Sequence, residues 1–121
     1  MNHNESLENY LESILIIGEK KPVVRSVDIA NELGFKKSSI SVAVKNMKEQ
    51  NYIEVSEEGY ITLTKTGKKL AKSVYERHLF FKNWLIGLGV DPEVADEDAC
   101  SMEHAISEES FKAIKAYIDK K

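Results

Sequence analysis

The apolar residues of this chain follow two periodicities, and the points where one gives way to the other mark out the elements. Over residues 5–19, Leu7, Tyr10, Leu11, Ile14 and Leu15 recur at i, i+3, i+4, i+7 and i+8, the stripe of an amphipathic helix with Asn4 or Ser6 as its N-cap. Gly18 to Pro22 interrupts it, because a proline biases the residue before it away from helical angles. A second helix is predicted over residues 27–33, capped by Ser26 and closed by Gly34 in positive φ. After a short turn, Ser38 or Ser39 caps a third helix to about Gln50, whose inner face is Ile40, Ala43, Val44 and Met47. Two short helices across a glycine corner form a helix-turn-helix. The period then drops to two: residues 52–55 and 60–63 alternate, are rich in β-formers and flank Glu57-Glu58-Gly59, which predicts a hairpin.

Helical spacing returns at Thr64, an N-cap, and runs to about Leu88 with Leu70, Ala71, Val74, His78, Phe81, Leu85 and Leu88 on one stripe. Gly89 ends this helix, and Asp91-Pro92 opens another with proline in the first turn. Ser107 caps a last helix to about Ile118, with Phe111, Ala113, Ile114 and Tyr117 apolar. A helix-turn-helix followed by a hairpin is winged. The predicted class is therefore mostly α with a small β-hairpin: a winged helix-turn-helix DNA-binding domain over residues 1–64, then a helical domain over residues 65–121. Phe80, Phe81, Trp84, Leu85, Ile86 and Leu88 are more apolar surface than one helix of a small monomer readily buries, which predicts a two-fold subunit interface on the apolar excess of the helix that carries Phe81, Trp84 and Leu88.

At 121 residues, 42% of them hydrophobic, the chain can bury one compact core or two small lobes, and a large multidomain enzyme is excluded. The start is polar and acidic, and no apolar run approaches the roughly 18 residues needed to cross a bilayer, so a soluble, unprocessed, cytoplasmic protein is expected. The single cysteine cannot close an internal disulfide, which fits a reducing compartment and leaves Cys100 available as a thiolate.

The net charge of -3 disfavours a nucleic-acid partner only until it is divided along the chain. Residues 1–19 carry four acids and no Lys or Arg, residues 20–48 seven bases against two acids, residues 49–90 six against five, and residues 91–121 four against nine. The basic middle coincides with the helix-turn-helix, and the acidic ends attract cations. On the outer face of the third predicted helix, small hydroxyls and lysines suit entry into a DNA major groove. The candidate DNA contacts are Ser26, Lys36, Lys37, Ser38, Ser39, Ser41 and Lys45.

Candidate metal chemistry lies in the stretch 100–104. Cys100, Glu103 and His104 stand at i, i+3 and i+4, so on a helix they share a face with Asp96, beside an apolar stripe of Ala95, Ala99, Met102 and Ile106. Thiolate, carboxylate and imidazole suit a borderline divalent transition metal such as Fe(II), Co(II), Ni(II) or Zn(II) better than Mg(II) or Ca(II). The alternative is a half-buried small cysteine beside a surface Glu-His pair. Glu8, Asn9 and Glu12 flank the first helix's stripe, as oxygen ligands or as a solvated acidic edge. His78 shares the stripe of Phe81 and Leu85 and points into protein, as a ligand or as a hydrogen-bonded core residue.

Taken together, Asn9-Tyr10-Leu11-Glu12, the helix-turn-helix from Val27 to Met47, Leu63-Thr64-Lys65-Thr66-Gly67, Arg77-His78, Leu88-Gly89-Val90-Asp91-Pro92 and Cys100-x-x-Glu103-His104-x-Ile106-Ser107 carry a resemblance across essentially the whole chain. The chain resembles the iron- and manganese-dependent repressors of the diphtheria toxin repressor and manganese transport repressor family, in the short form without an SH3-like domain. The resemblance implies a homodimeric repressor of a palindromic DNA operator, without catalysis, activated by a divalent metal and controlling metal uptake, with Fe(II) favoured and Mn(II) the second candidate. By position it places Asn9, Glu12, His78, Cys100, Glu103 and His104 at the metal, and Asp96 at an ancillary site. Two departures stand out: Asn9 offers a neutral carbonyl oxygen where relatives have Asp or Met, and Lys82 stands where iron-dependent members carry an acidic ancillary ligand. Two rivals remain, a winged-helix regulator that has lost metal sensing and a small metal-dependent hydrolase built on Cys100, Glu103 and His104.

Overall fold

The computed structural model describes residues 5–120. The described residues separate into two compact units, residues 5–72 and residues 73–120. The first contains α1 (Glu5–Lys20), α2 (Ser26–Leu33), α3 (Lys37–Glu49), β1 (Ile53–Val55), β2 (Ile61–Leu63) and the start of α4 (Lys65–Gly87). The second contains the rest of α4, then α5 (Pro92–Ala105) and α6 (Glu108–Asp119).

In the first unit the stripe of α1 delivers Leu11, Ile14 and Ile17 to a core shared with Ile29, Ala30, Ile40, Met47, Ile53, Ile61 and Ala71. Each fully buried aliphatic side chain here stabilises the unit by about 1.5–3 kcal/mol. Gly34 closes α2 at φ 70, and the Phe35 N–H donates to Ala30 O at 3.1 Å, which turns the chain sharply into α3. Only Ile40 and Met47 of α3 are buried. One side of the helix therefore anchors it, and the other faces solvent.

The hairpin pairs antiparallel in the register Ile53↔Leu63, Glu54↔Thr62 and Val55↔Ile61. Its turn is closed by Ser56, whose N–H donates to Tyr60 O at 3.0 Å and whose carbonyl accepts from the Gly59 N–H at 2.9 Å, with Gly59 at φ 85. The Ile61 N–H also donates to Val24 O at 2.7 Å, tying the wing to the segment before α2. Thr64 joins wing to α4 in both directions. Its hydroxyl accepts from the Gly67 N–H at 3.1 Å and donates to Asn51 O at 2.7 Å. A Cβ at Gly67 would collide with the Tyr52 carbonyl oxygen and lie 2.9 Å from its carbon, so this close approach of backbone to helix admits only glycine.

In the second unit α4, α5 and α6 pack around Phe81, Ala99 and Phe111, with Phe80, Trp84, Met102, Ile106 and Ile114 around them. Phe111 meets Phe80 and Phe81 edge-on, with ring centroids 5.5 and 5.8 Å apart. Such T-shaped pairs place ring edges against ring faces and stabilise beyond area burial. Asp91 caps α5 by accepting from the Glu93 N–H at 3.1 Å, with Pro92 at the first turn, and Ser107 caps α6 by accepting from the Ser110 N–H at 3.1 Å. Lys115 pairs with Glu76 at 2.8 Å between α6 and α4.

Several expectations need correction. Ser6 lies inside α1 and is not its cap, while Asn4 falls outside the described residues. Ser26 is the first helical residue of α2, whose N-cap is Arg25, and the Asp28 carboxylate reaches back to accept the Arg25 N–H at 2.9 Å. Lys36, in extended backbone, is the N-cap of α3, which puts Ser38 and Ser39 in the first turn. Phe81, expected at a subunit interface, is 1% exposed because Phe111 and Phe80 cover it. The large apolar side chains that do reach solvent along α4 and directly after its end are Leu79, Ile86 and Leu88. On α6, Phe111 is buried, whereas Ala113 and Tyr117 are exposed.

Candidate metal centre and nucleic-acid interface

In the second unit, helical spacing on α5 brings Cys100, Glu103 and His104 together, with one ligand atom from each lying within 4.8 Å of the others. The Glu103-His104 pair is not at the surface. Cys100 is exposed, while Glu103 and His104 are buried at 0% and 3%. His78 approaches from α4, its Nδ1 3.5 Å from Glu103 Oε2, and His104 Nε2 lies 3.3 Å from Glu103 Oε1.

Neither oxygen of the Glu103 carboxylate accepts a hydrogen bond of proper geometry among the described residues. A fully buried carboxylate left in that state costs several kcal/mol unless cations compensate it. Burial alone would push the Glu103 carboxyl up, but the imidazoles of His104 and His78 outweigh it and hold the group below the usual carboxylate range. A sulfur, an anionic oxygen and an imidazole gathered on α5, with a second imidazole at the other oxygen of the same carboxylate, are donors that suit a borderline divalent cation, so these residues fit a metal ion.

Asp96, one turn before Cys100, accepts from His78 Nε2 at 2.9 Å, and Lys82 Nζ lies 3.3 Å from the same Oδ1. The His78 bond holds the Asp96 carboxyl below its ordinary range, against the opposing effect of burial and with a lesser contribution from Lys82. The structure thus ties Asp96 to a histidine and a lysine. In the first unit, Glu12 on α1 is 8% exposed and Glu8 and Asn9 are half-buried, so this flank is not a solvated edge.

The first unit also presents the second candidate surface. Lys36, Lys37, Ser38, Ser39, Ser41 and Lys45 are all exposed, and Ser26 is half-buried at the start of α2. Val42, 61% exposed among these polar groups, offers an apolar contact of the kind made with a thymine methyl. No acid stands in the first turn of α3, so its N-terminal N–H groups and partial positive charge suit a phosphate. Sequence reasoning missed Arg25. Its guanidinium donates to the Tyr60 hydroxyl at 3.2 Å and lies 5.0 Å from the Tyr60 ring centroid, joining the entry of α2 to the wing. The wing itself bears Glu54, Glu57 and Glu58, all exposed.

A helix-turn-helix with a wing and a solvent-facing basic helix, together with a separate cluster of metal-ligating side chains, defines a winged-helix regulator with a metal site. Comparison with known proteins agrees. The iron dependent repressor N-terminal DNA binding domain family matches residues 3–61, and the iron dependent repressor metal binding and dimerisation domain family matches residues 64–120. The transcriptional regulator MntR of Escherichia coli O6:H1 is 34% identical over 119 residues, covering 98% of this chain and 77% of the relative. An uncharacterized HTH-type transcriptional regulator of Methanocaldococcus jannaschii is 33% identical over 119 residues, covering 97% and 95%. Among solved structures, a manganese-dependent transcriptional repressor in complex with manganese superposes with a TM-score of 0.84 at 25% identity, covering 93% of this chain and 52% of that one. The chain thus spans about half the length of that solved repressor. It belongs to the diphtheria toxin repressor and manganese transport repressor family of metal-dependent transcription repressors. The matched families and relatives are transcription regulators, not enzymes. Among the described residues no helix is long and apolar enough to cross a membrane.

Proposed function

We propose that this chain is a cytoplasmic, homodimeric repressor that binds a palindromic operator when a divalent metal is bound, and that it controls metal uptake. Residues 1–64 act as the DNA-binding domain and residues 65–121 as the dimerisation and metal-binding domain. The observation that carries this is the buried Glu103 carboxylate, which accepts no hydrogen bond of proper geometry among the described residues, between His78 and His104 and near Cys100. His78, Cys100, Glu103 and His104 hold the metal, with Asn9 and Glu12 of α1 as the further donors that the family's pattern implies. The metal supplies positive charge that the buried Glu103 otherwise draws only from imidazoles. A dimer presents two copies of α3, so a two-fold protein reads two half-sites about one helical turn apart. Leu79, Ile86 and Leu88, exposed on and after α4, are the apolar surface available for that dimer. Metal and DNA then raise each other's affinity by the same factor.

Fe(II) is the favoured ion, because the thiolate of Cys100 is softer than an all-oxygen and imidazole set and because neutral Asn9 leaves the site one negative charge poorer. A second ion, Mn(II), is supported by the similarity to MntR regulators and to the manganese complex. Anaerobic DNA binding with each ion tests both. Fe(II) or Mn(II) should tighten operator binding at least tenfold, and equal binding with and without metal would leave only a winged-helix regulator without metal sensing.

A further inference from the structure

The residues around His78 carry more than the ligand set uses. Asp96 stands on the face of α5 that carries the ligands, yet its Oδ1 is engaged twice, by His78 Nε2 at 2.9 Å and by Lys82 Nζ at 3.3 Å. We propose that Asp96, clamped by Lys82, is a positioning residue that fixes the orientation of His78, and that the Lys82 ammonium takes the place of a second cation on this side of the site. This rests on the metal reading above.

The chemistry follows from the two ring nitrogens. With Nε2–H donating to Asp96, Nδ1 is the ring nitrogen that faces Glu103 Oε2, 3.5 Å away. A metal ion bound there would take the place of the Nδ1 proton and use its lone pair, while Nε2–H stays with Asp96. A carboxylate behind the ring therefore selects the tautomer that suits a cation in front of it and makes the ring a stronger donor, the usual role of a carboxylate bonded to a metal-ligating histidine. The Asp96 side chain is 52% exposed and would sample many positions alone, whereas that of Lys82 is only 33% exposed and reaches it from α4, the helix that also carries His78. The ammonium also cancels the Asp96 charge. An acid at position 96 could otherwise join His78 in drawing another metal ion. With Lys82 in place, it already has its cation.

The test is Co(II) binding by calorimetry on the full chain, with the metal-free thermal midpoint recorded alongside. Asp96→Asn should weaken Co(II) binding by about 10–100-fold, the usual effect of removing such a carboxylate, and leave the metal-free midpoint nearly unchanged. Acting through His78, it should add nothing on a His78→Gln background. Lys82→Glu, which replaces the ammonium by a carboxylate beside Asp96, should bind one equivalent of Co(II) more than the wild type. Unchanged affinity in Asp96→Asn would overturn the proposal, and so would a full extra loss on the His78→Gln background, which would make Asp96 a direct ligand. A stoichiometry unaltered by Lys82→Glu would overturn the part given to Lys82. A wild-type chain that binds no Co(II) would overturn the metal reading itself and this inference with it.

Discussion

Replacing Glu103 by Gln separates a ligand from a structural ion pair, because the two roles predict opposite changes in stability. The side chain is 0% exposed, neither oxygen accepts a hydrogen bond of proper geometry among the described residues, and two imidazole nitrogens lie 3.3 and 3.5 Å away. Glu103→Gln keeps the shape, removes the buried charge and supplies an amide N–H for the imidazoles. Exchanging a buried charge for a neutral group of similar volume is often neutral or stabilising, so the metal-free protein should change by no more than about 1 kcal/mol and is expected to gain. Metal binding should fall at least 100-fold, about 2.7 kcal/mol. With Co(II) at about 100 times the wild-type Kd, binding stabilises the wild type by about 2.7 kcal/mol, whereas a variant 100-fold weaker gains only about 0.4 kcal/mol. For a chain of this size that is a rise in Tm of roughly 10 °C against roughly 2 °C. Thermal unfolding with and without Co(II) at pH 7 reads both. A metal-free variant destabilised by more than about 2 kcal/mol, with the metal-induced rise intact, would make Glu103 a structural partner of the histidines and refute the reasoning.

Three further outcomes are expected. If Cys100 is a ligand, the Co(II) complex shows a thiolate-to-metal charge-transfer band that Cys100→Ala abolishes, and apparent affinity rises with pH because binding the thiolate displaces a proton; a spectrum without the band would make Cys100 a surface thiol. Lys37→Ala or Lys45→Ala should reduce the slope of log K against log salt by about 0.9 for each DNA phosphate that the dimer no longer neutralises, as fluorescence anisotropy across a salt series would show, and an unchanged slope removes that lysine from the interface. Asp28 is held low first by the Lys21 hydrogen bond and then by the Arg25 N–H, so its contribution to stability is present above the unfolded value of about 3.9 and lost as pH falls through the folded one. Asp28→Asn should therefore cost about 1 kcal/mol at pH 6 and progressively less as the pH falls through the folded value, and a cost that does not fall with pH would contradict the sign.

The elements were legible wherever a local rule decides them. Gly34 in positive φ, Thr64 holding the Gly67 N–H, Asp91 before Pro92 and Ser107 before α6 each need only a few neighbouring residues, and each stands as expected. The caps of α2 and α3 were not legible. Ser26 and Ser38 are good N-caps by composition, but the N-cap is the residue whose backbone is extended, and these turns give that place to Arg25 and Lys36. In the candidate site, the spacing 100, 103 and 104 sufficed to bring thiol, carboxylate and imidazole together on α5. It could not show that Glu103 and His104 are inside and Cys100 outside, which depends on how α5 packs against α4 and α6. Nor could it separate Phe81 from the interface residues, since the ring that covers it, Phe111, lies on a helix of its own. Lys82 and Asp96 meet across helices that no periodicity relates.

The most direct test of metal activation is operator binding by the full chain in an anaerobic titration with Fe(II), repeated with Mn(II) and with a chelator. The account predicts a two-fold complex whose affinity rises at least tenfold with metal and returns to the metal-free value with chelator, and Glu103→Gln that binds DNA only at that lower level. Affinity that ignores both the metal and Glu103→Gln would contradict it.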